Sequence, residues 1–244
     1  MNGMSLAEST VLLPETKMNY PGEGRLAVYI PAHTTHGVVL ALHGSGRGIA
    51  DYRTVPFYMK QLEISVNYGY AFAVLENGPD TYGTDDGVHN TDIAVKYLQN
   101  KFGTERIIFW ATSAGGACAF RYIIEHPNTI SAVIGTFPVV DLKSAFTVLS
   151  SCRRAWHAEN MTLEEYSKKI EHKNPADAIE KLSGIPMYIA HGRMDKAVPF
   201  ESNSALLAKA GAVIHELKDG IHSTDDMRYY DTAPHMALKT DKYE

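Results

Sequence analysis

Apolar and polar positions change period several times along the chain, and the changes divide it into elements. Short, nearly all-apolar runs occur at Leu26–Ile30, Val38–Leu42, Ala71–Leu75, Ile107–Ala111, Ala132–Thr136, Met187–Ala190 and Val213–Leu217. Runs of this length without polar alternation are what strands buried on both faces of a mostly parallel sheet require. Segments of helical period separate the later runs, and the chain has neither an internal repeat nor a low-complexity linker. The expected architecture is α/β: a mostly parallel twisted sheet of about seven to eight strands flanked by helices.

The helical segments carry start and stop signals. Asn90 is placed to cap a helix running to about Phe102, with Asp92 in its first turn and Gly103 past its end. Ile93, Ala94, Tyr97 and Leu98 form its apolar stripe. A second helix follows Ser113, with Ala117, Phe120, Ile123 and Ile124 on its apolar face, and stops near His126-Pro127. Thr162-Leu163-Glu164-Glu165 has the form of a capping box, and Asn174-Pro175 that of an N-cap followed by proline at the first helical position. From Asp141 to about Lys181 the pattern is helical with no strand, with Leu142, Ala145, Phe146 and Leu149 at helical spacing. Two readings of this small insertion stand side by side: a lid over a site, or crossover helices packed on the sheet. Phe146 and Trp156 are accordingly either an apolar wall or ordinary packing.

Composition narrows the classes. The 244 residues fit a single domain spanning 1–244 with an insertion near 141–181. Apolar residues are 45% and charged residues 21%, enough for a substantial core. The net charge of −5 and pI near 6.1 leave no basic stripe for nucleic acid. The two cysteines, Cys118 and Cys152, imply no disulfide framework, and Cys118 reads as a small buried hydrophobe. Met1–Pro14 lacks the charged-then-apolar pattern of a signal peptide, and no apolar run approaches the ~18 residues of a membrane span. A cytoplasmic location, with no membrane or nucleic-acid partner, is the expectation.

In an open parallel sheet, sites form beyond the carboxyl ends of the strands. The run Ile107–Ala111 ends at Ser113, Val38–Leu42 at His43-Gly44-Ser45-Gly46, Met187–Ala190 at His191-Gly192-Arg193-Met194-Asp195, and Val213–Leu217 at Lys218-Asp219-Gly220-Ile221-His222. A serine, an aspartate and a histidine thus leave three strand ends in that order. A serine hydroxyl is a poor nucleophile unless a base is within hydrogen-bond reach and a carboxylate orients that base. A tight strand–turn–helix needs small residues on both sides of the serine, and Ala111 and Gly115 meet that demand. The helix start makes the Ala114 N–H one natural oxyanion donor, and the glycine-rich 43–48 loop offers a second, Ser45 first and Gly46 next. The G-x-x-x-x-G-K-[ST] phosphate loop is absent. Gly46 and Arg47 follow the Val38–Leu42 run and Asn77 the Ala71–Leu75 run, where they can line a substrate pocket or simply be solvated. Asp219 and Asp225 lie too close in sequence to His222 to serve the strand-end plan. His43 and His191 read as binders of loop backbone, and neither has cysteine or carboxylate neighbours at ligand spacing, so no metal is expected.

Taken together, Leu42-His43-Gly44-Ser45-Gly46, Thr112-Ser113-Ala114-Gly115-Gly116, Ile189-Ala190-His191-Gly192 with Asp195 and Val198-Pro199, and Gly220-Ile221-His222 resemble the α/β-hydrolase superfamily in its serine esterase and peptidase-like branch. The resemblance spans roughly Gly37 to His222. It implies the α/β-hydrolase fold, Ser113 as nucleophile, Asp195 as acid and His222 as base, acting without a cofactor on a small-molecule ester. Ala111 departs from the pattern, which usually has glycine there. A peptidase or amidase, an acyltransferase, and a non-catalytic ligand-binding protein on the same scaffold are the alternatives.

Overall fold

The computed structural model describes residues 10–12, 16–17, 25–31, 35–76 and 78–239. Its centre is one twisted sheet. Seven strands make its body: β3 (Arg25–Pro31), β4 (Val38–Leu42), β5 (Ala71–Glu76), β6 (Ile107–Thr112), β7 (Ala132–Thr136), β8 (Met187–Gly192) and β9 (Val213–Leu217). Two short strands, β1 (Thr10–Leu12) and β2 (Thr16–Lys17), pair antiparallel with β3. The order is β1-β3-β5-β4-β6-β7-β8-β9. β3 is antiparallel to β5, and every pair from β5 to β9 is parallel. All seven apolar runs of the sequence are strands of this body, and the fold is that of the α/β hydrolases.

Period-two alternation inside each apolar run divides its residues between two cores. In β6, Ile107, Phe109 and Ala111 face the helices Asp85–Phe102 and Gly115–Glu125. Ile108 and Trp110 face the opposite way, toward Pro56–Asn67 and Ala233–Leu238. Central strands β4 and β6 are buried at every position, whereas β9, at the edge, is buried only at Leu217.

Two local expectations change. The first long helix begins at Asp85, not after Asn90. Its N-cap is Thr84, whose side chain accepts from the Gly87 N–H, with Asp85 and Asp86 completing an acidic first turn. Gly87, a poor helix former, hid this turn. Asn90 is a buried interior residue. The Asn174-Pro175 pair opens a 3₁₀ segment, Pro175–Leu182, not an α-helix. The Asn174 side chain does not cap it: the carbonyl accepts from Leu142 N at 2.9 Å and the amide donates to Asp141 at 3.1 Å. The Thr162 capping box is present as expected.

Residues 141–182 form three short helices, Leu142–Val148, Ser150–Ala155 and Leu163–Lys169, followed by the 3₁₀ segment. They share a small core of their own, in which Phe146 stacks on Tyr166 at 4.3 Å and Trp156 donates to the Tyr82 carbonyl at 3.1 Å. Ala114 and Ala117 of the helix after Ser113 belong to the same cluster, so the insertion is seated at the carboxyl end of the sheet. Cys118 and Cys152 are both buried and free. Among the described residues, no helix is long and apolar enough to cross a membrane.

Candidate functional site

Parallel pairing places strand ends side by side. Leu42, Ala111, Gly135 and Ile189 are consecutive partners across β4, β6, β7 and β8, so the loops that follow these strands emerge on one edge. Ser113 lies just past β6 with a φ of +49°. A left-handed backbone is costly for a non-glycine residue and lifts the side chain clear of strand and helix. The turn is held by Ser113 N donating to Thr136 O at 3.1 Å, and by the Ser113 carbonyl accepting from Gly116 N and Val139 N at 2.9 and 2.8 Å.

Small residues around the serine are a steric requirement. A Cβ on Gly115 would stand 2.1 Å from the Leu42 carbonyl oxygen, and one on Gly116 would stand 2.6 Å from Val139 O. Both obstacles are backbone and cannot swing aside. Gly115→Ala is therefore expected to destabilise the fold by about 3 kcal/mol or more, read as a fall in the thermal midpoint. A wild-type midpoint would refute this close approach of helix and strand. Ala111 is fully buried and belongs to the same core cluster as Leu42 and Cys118.

Ser113, His222 and Asp195 are brought together. Ser113 Oγ lies 3.1 Å from His222 Nε2, and His222 Nδ1 lies 2.7 Å from Asp195 Oδ2. A carboxylate only accepts, so Nδ1 carries the proton and Nε2 of the neutral ring is left to accept from the serine hydroxyl. Asp195 Oδ1 accepts from Ala197 N at 2.9 Å and Val198 N at 2.8 Å. Burial alone would raise the Asp195 carboxyl. Hydrogen bonds from His191 and His222, the electrostatic attraction of the His222 imidazole and the Val198 N–H outweigh it and hold the group well below the usual carboxylate range.

His191 binds loop backbone as expected and also supports this carboxylate, a role the sequence did not reveal. Its Nε2 is 2.9 Å from Val198 O and 3.4 Å from Asp195 Oδ2, and its Nδ1 is 2.6 Å from Ser204 Oγ. Both partners of Nε2 accept, so Nε2 bears a proton. His43 binds loop backbone as expected: Nδ1 lies 2.8 Å from Gly44 O. Burial, which outweighs the Gly44 carbonyl and the neighbouring carboxylates, pushes this imidazole below its ordinary value.

The other expected residues sort as follows. The N–H groups of Ser45 and Ala114 have no backbone acceptor among the described residues, whereas Gly46 N donates to Pro79 O at 2.7 Å and is occupied. Arg47 is half-buried and pairs with Asp51 at 3.1 Å, so its guanidinium is already shared. Asn77 lies outside the described residues.

A polar chain ties the 43–48 loop to the insertion. Ser45 Oγ donates to Asp80 Oδ1, and Asp80 Oδ2 accepts from Arg154 at 2.9 Å. The Tyr82 hydroxyl stands 2.7 Å from Ser151 Oγ. Asp80 and Arg154 are 74 residues apart, and no local pattern links them. Among the described residues, no group of His, Cys, Asp and Glu is clustered to hold a metal ion.

Comparison with known proteins adds the family. The sequence profile of the prolyl oligopeptidase family matches residues 59–243. The chain belongs to that family. No significant match is found among curated protein sequences. Among solved structures, oligopeptidase B from Leishmania major is similar with a TM-score of 0.68 and 14% identity, over 95% of this chain and 36% of that one. The acylaminoacyl peptidase of Pyrococcus horikoshii is similar at 0.68 and 13%, over 96% of this chain and 42% of that one. An esterase from Pyrococcus furiosus is similar at 0.67 and 14%, over 96% of this chain and 92% of that one. This prolyl oligopeptidase family member thus spans well under half the length of the two peptidases and nearly the whole of the esterase.

Proposed function

We propose that this family member is a serine hydrolase that cleaves a carboxylic ester of a small or medium substrate through an acyl-enzyme. The observation that carries the reading is the hydrogen-bonded series Ser113–His222–Asp195, drawn from three strand ends. In the proposed reaction His222 Nε2 takes the Ser113 proton as Oγ attacks the acyl carbonyl. Asp195, ionised and buried, keeps the proton on Nδ1 and stabilises the imidazolium. The N–H groups of Ala114 and Ser45 receive the tetrahedral oxyanion. The imidazolium then protonates the leaving alkoxide, and water repeats the cycle to free the acid and restore Ser113. No step calls on a cofactor.

The ester reading is supported by likeness to the Pyrococcus furiosus esterase, 92% of which is matched. Peptide or amide cleavage is the second reading, favoured by the family itself. A panel of p-nitrophenyl esters and aminoacyl-anilides separates the two. Turnover of anilides with esters untouched would overturn the first reading.

Orientation of the Ser45 N–H is proposed to depend on Asp80. Asp80→Ala is expected to lower kcat about tenfold with KM little changed, less than the loss of a whole oxyanion donor. Steady-state kinetics on a p-nitrophenyl ester check this. An unchanged kcat would mean that the loop holds itself.

A further inference from the structure

We infer that Phe137 is a positioning residue for the His222 imidazole, a role that rests on reading His222 as the general base. Phe137 follows β7 and precedes Pro138. Its φ is +38°, a region where a bulky side chain is a genuine outlier and glycine is at ease. The residue is nevertheless an almost fully buried phenylalanine. Its N–H donates to Ala190 O at 2.8 Å, which ties the strained turn to β8. Strain of this kind persists where the surroundings over-determine it, and it clusters at functional sites.

What the strained backbone accomplishes is the placement of a ring. The Phe137 ring centroid lies 4.3 Å from that of His222, with the planes 56° apart. On its other sides Phe137 meets Phe57 at 5.8 Å and 21°, and Tyr229 at 4.9 Å and 83°. It is therefore wedged between a fixed aromatic cluster and the imidazole.

The imidazole needs such a surface. His222 lies in an irregular segment between β9 and the 3₁₀ turn Met227–Tyr230, so no helix or strand fixes its backbone. Its two polar anchors, Asp195 on Nδ1 and Ser113 on Nε2, both act in the ring plane. In-plane bonds at opposite ends leave the ring able to tip about the line joining them. Packing against a flat side chain resists that tip and keeps water off one side of the ring. Phe137 thus supplies the restraint that the two hydrogen bonds lack, and its left-handed turn is the means of delivering it.

The test compares Phe137→Leu with Phe57→Leu, using p-nitrophenyl ester kinetics, fluorophosphonate labelling rates and thermal denaturation. Phe57 sits against Phe137 but has no ring contact with His222 among the described residues. Phe137→Leu is expected to lower kcat and the labelling rate together by about 10- to 100-fold with KM within about twofold. Phe137→Tyr, which keeps the flat ring, is expected to retain most activity. Phe57→Leu is expected to lower the thermal midpoint and leave kcat near wild type. If Phe137→Leu does not fold, Phe137→Met fills the space without a flat face and reads the same effect. A folded Phe137 variant with wild-type kcat, or an equal kcat loss in Phe57→Leu, overturns the inference while leaving the reading of Ser113 and His222 intact. Failure of the wild-type protein to label at Ser113 overturns both.

Discussion

Ser113→Ala is expected to remove fluorophosphonate labelling and to lower kcat/KM on esters by about 10⁴- to 10⁶-fold. The reason is the absence of a substitute: the attacking oxygen is gone, and no acyl-enzyme can form. The fold should survive, because among the described residues the Ser113 side chain hydrogen-bonds His222, at 3.1 Å, and nothing in the core. The backbone bonds that hold the turn belong to its N–H and carbonyl, and alanine keeps them. Intact-mass measurement after probe treatment, ester turnover and a thermal melt together make the test. A folded variant that still labels or turns over at more than about a hundredth of the wild-type rate would show that Ser113 is not the nucleophile.

Asp195→Asn is expected to cost about 10⁴-fold in kcat. The asparagine carbonyl would take the place of Oδ1, where two N–H donors from Ala197 and Val198 await an acceptor. Its NH₂ would then face His222 Nδ1, where a carboxylate oxygen stood at 2.7 Å. A donor opposite Nδ1 forces the imidazole proton onto Nε2, and an Nε2–H cannot receive the Ser113 proton. Near-wild-type kcat in a folded variant would refute this account of the base.

The same carboxylate has a consequence for stability. Its folded pKa lies below the ordinary value, so the stability it contributes is fully present above about pH 4 and is lost as the pH falls through the lower folded value. Asp195→Asn should therefore weaken the dependence of the thermal midpoint on pH below about pH 4. By the same sign, Asp195 stays charged near neutrality, and the acid limb of the rate profile must come from another group.

Much of this was legible from residue pattern. Parallel strands buried on both faces must be apolar throughout, and that made all seven runs readable. The three candidate catalytic residues were readable because each follows a strand by a few positions, and such positions have to gather at one edge. The start of the Asp85–Phe102 helix was not readable, since Gly87 in its first turn argues locally against the helix that tertiary packing secures. Nor was the 3₁₀ form of Pro175–Leu182, whose Asn174 side chain serves Leu142 and Asp141 in place of its own helix.

By itself, then, the sequence determined the strand set, the strand-end positions of Ser113, Asp195 and His222, and the smallness of the residues around Ser113, because burial and turn geometry act on neighbours along the chain. Tertiary structure alone decided the rest. It placed His191 behind Asp195, linked Ser45 through Asp80 to Arg154, filled the Gly46 N–H, and set a strained Phe137 against His222. Those relations join residues far apart in the chain, and a contact made only by folding leaves no periodicity to read.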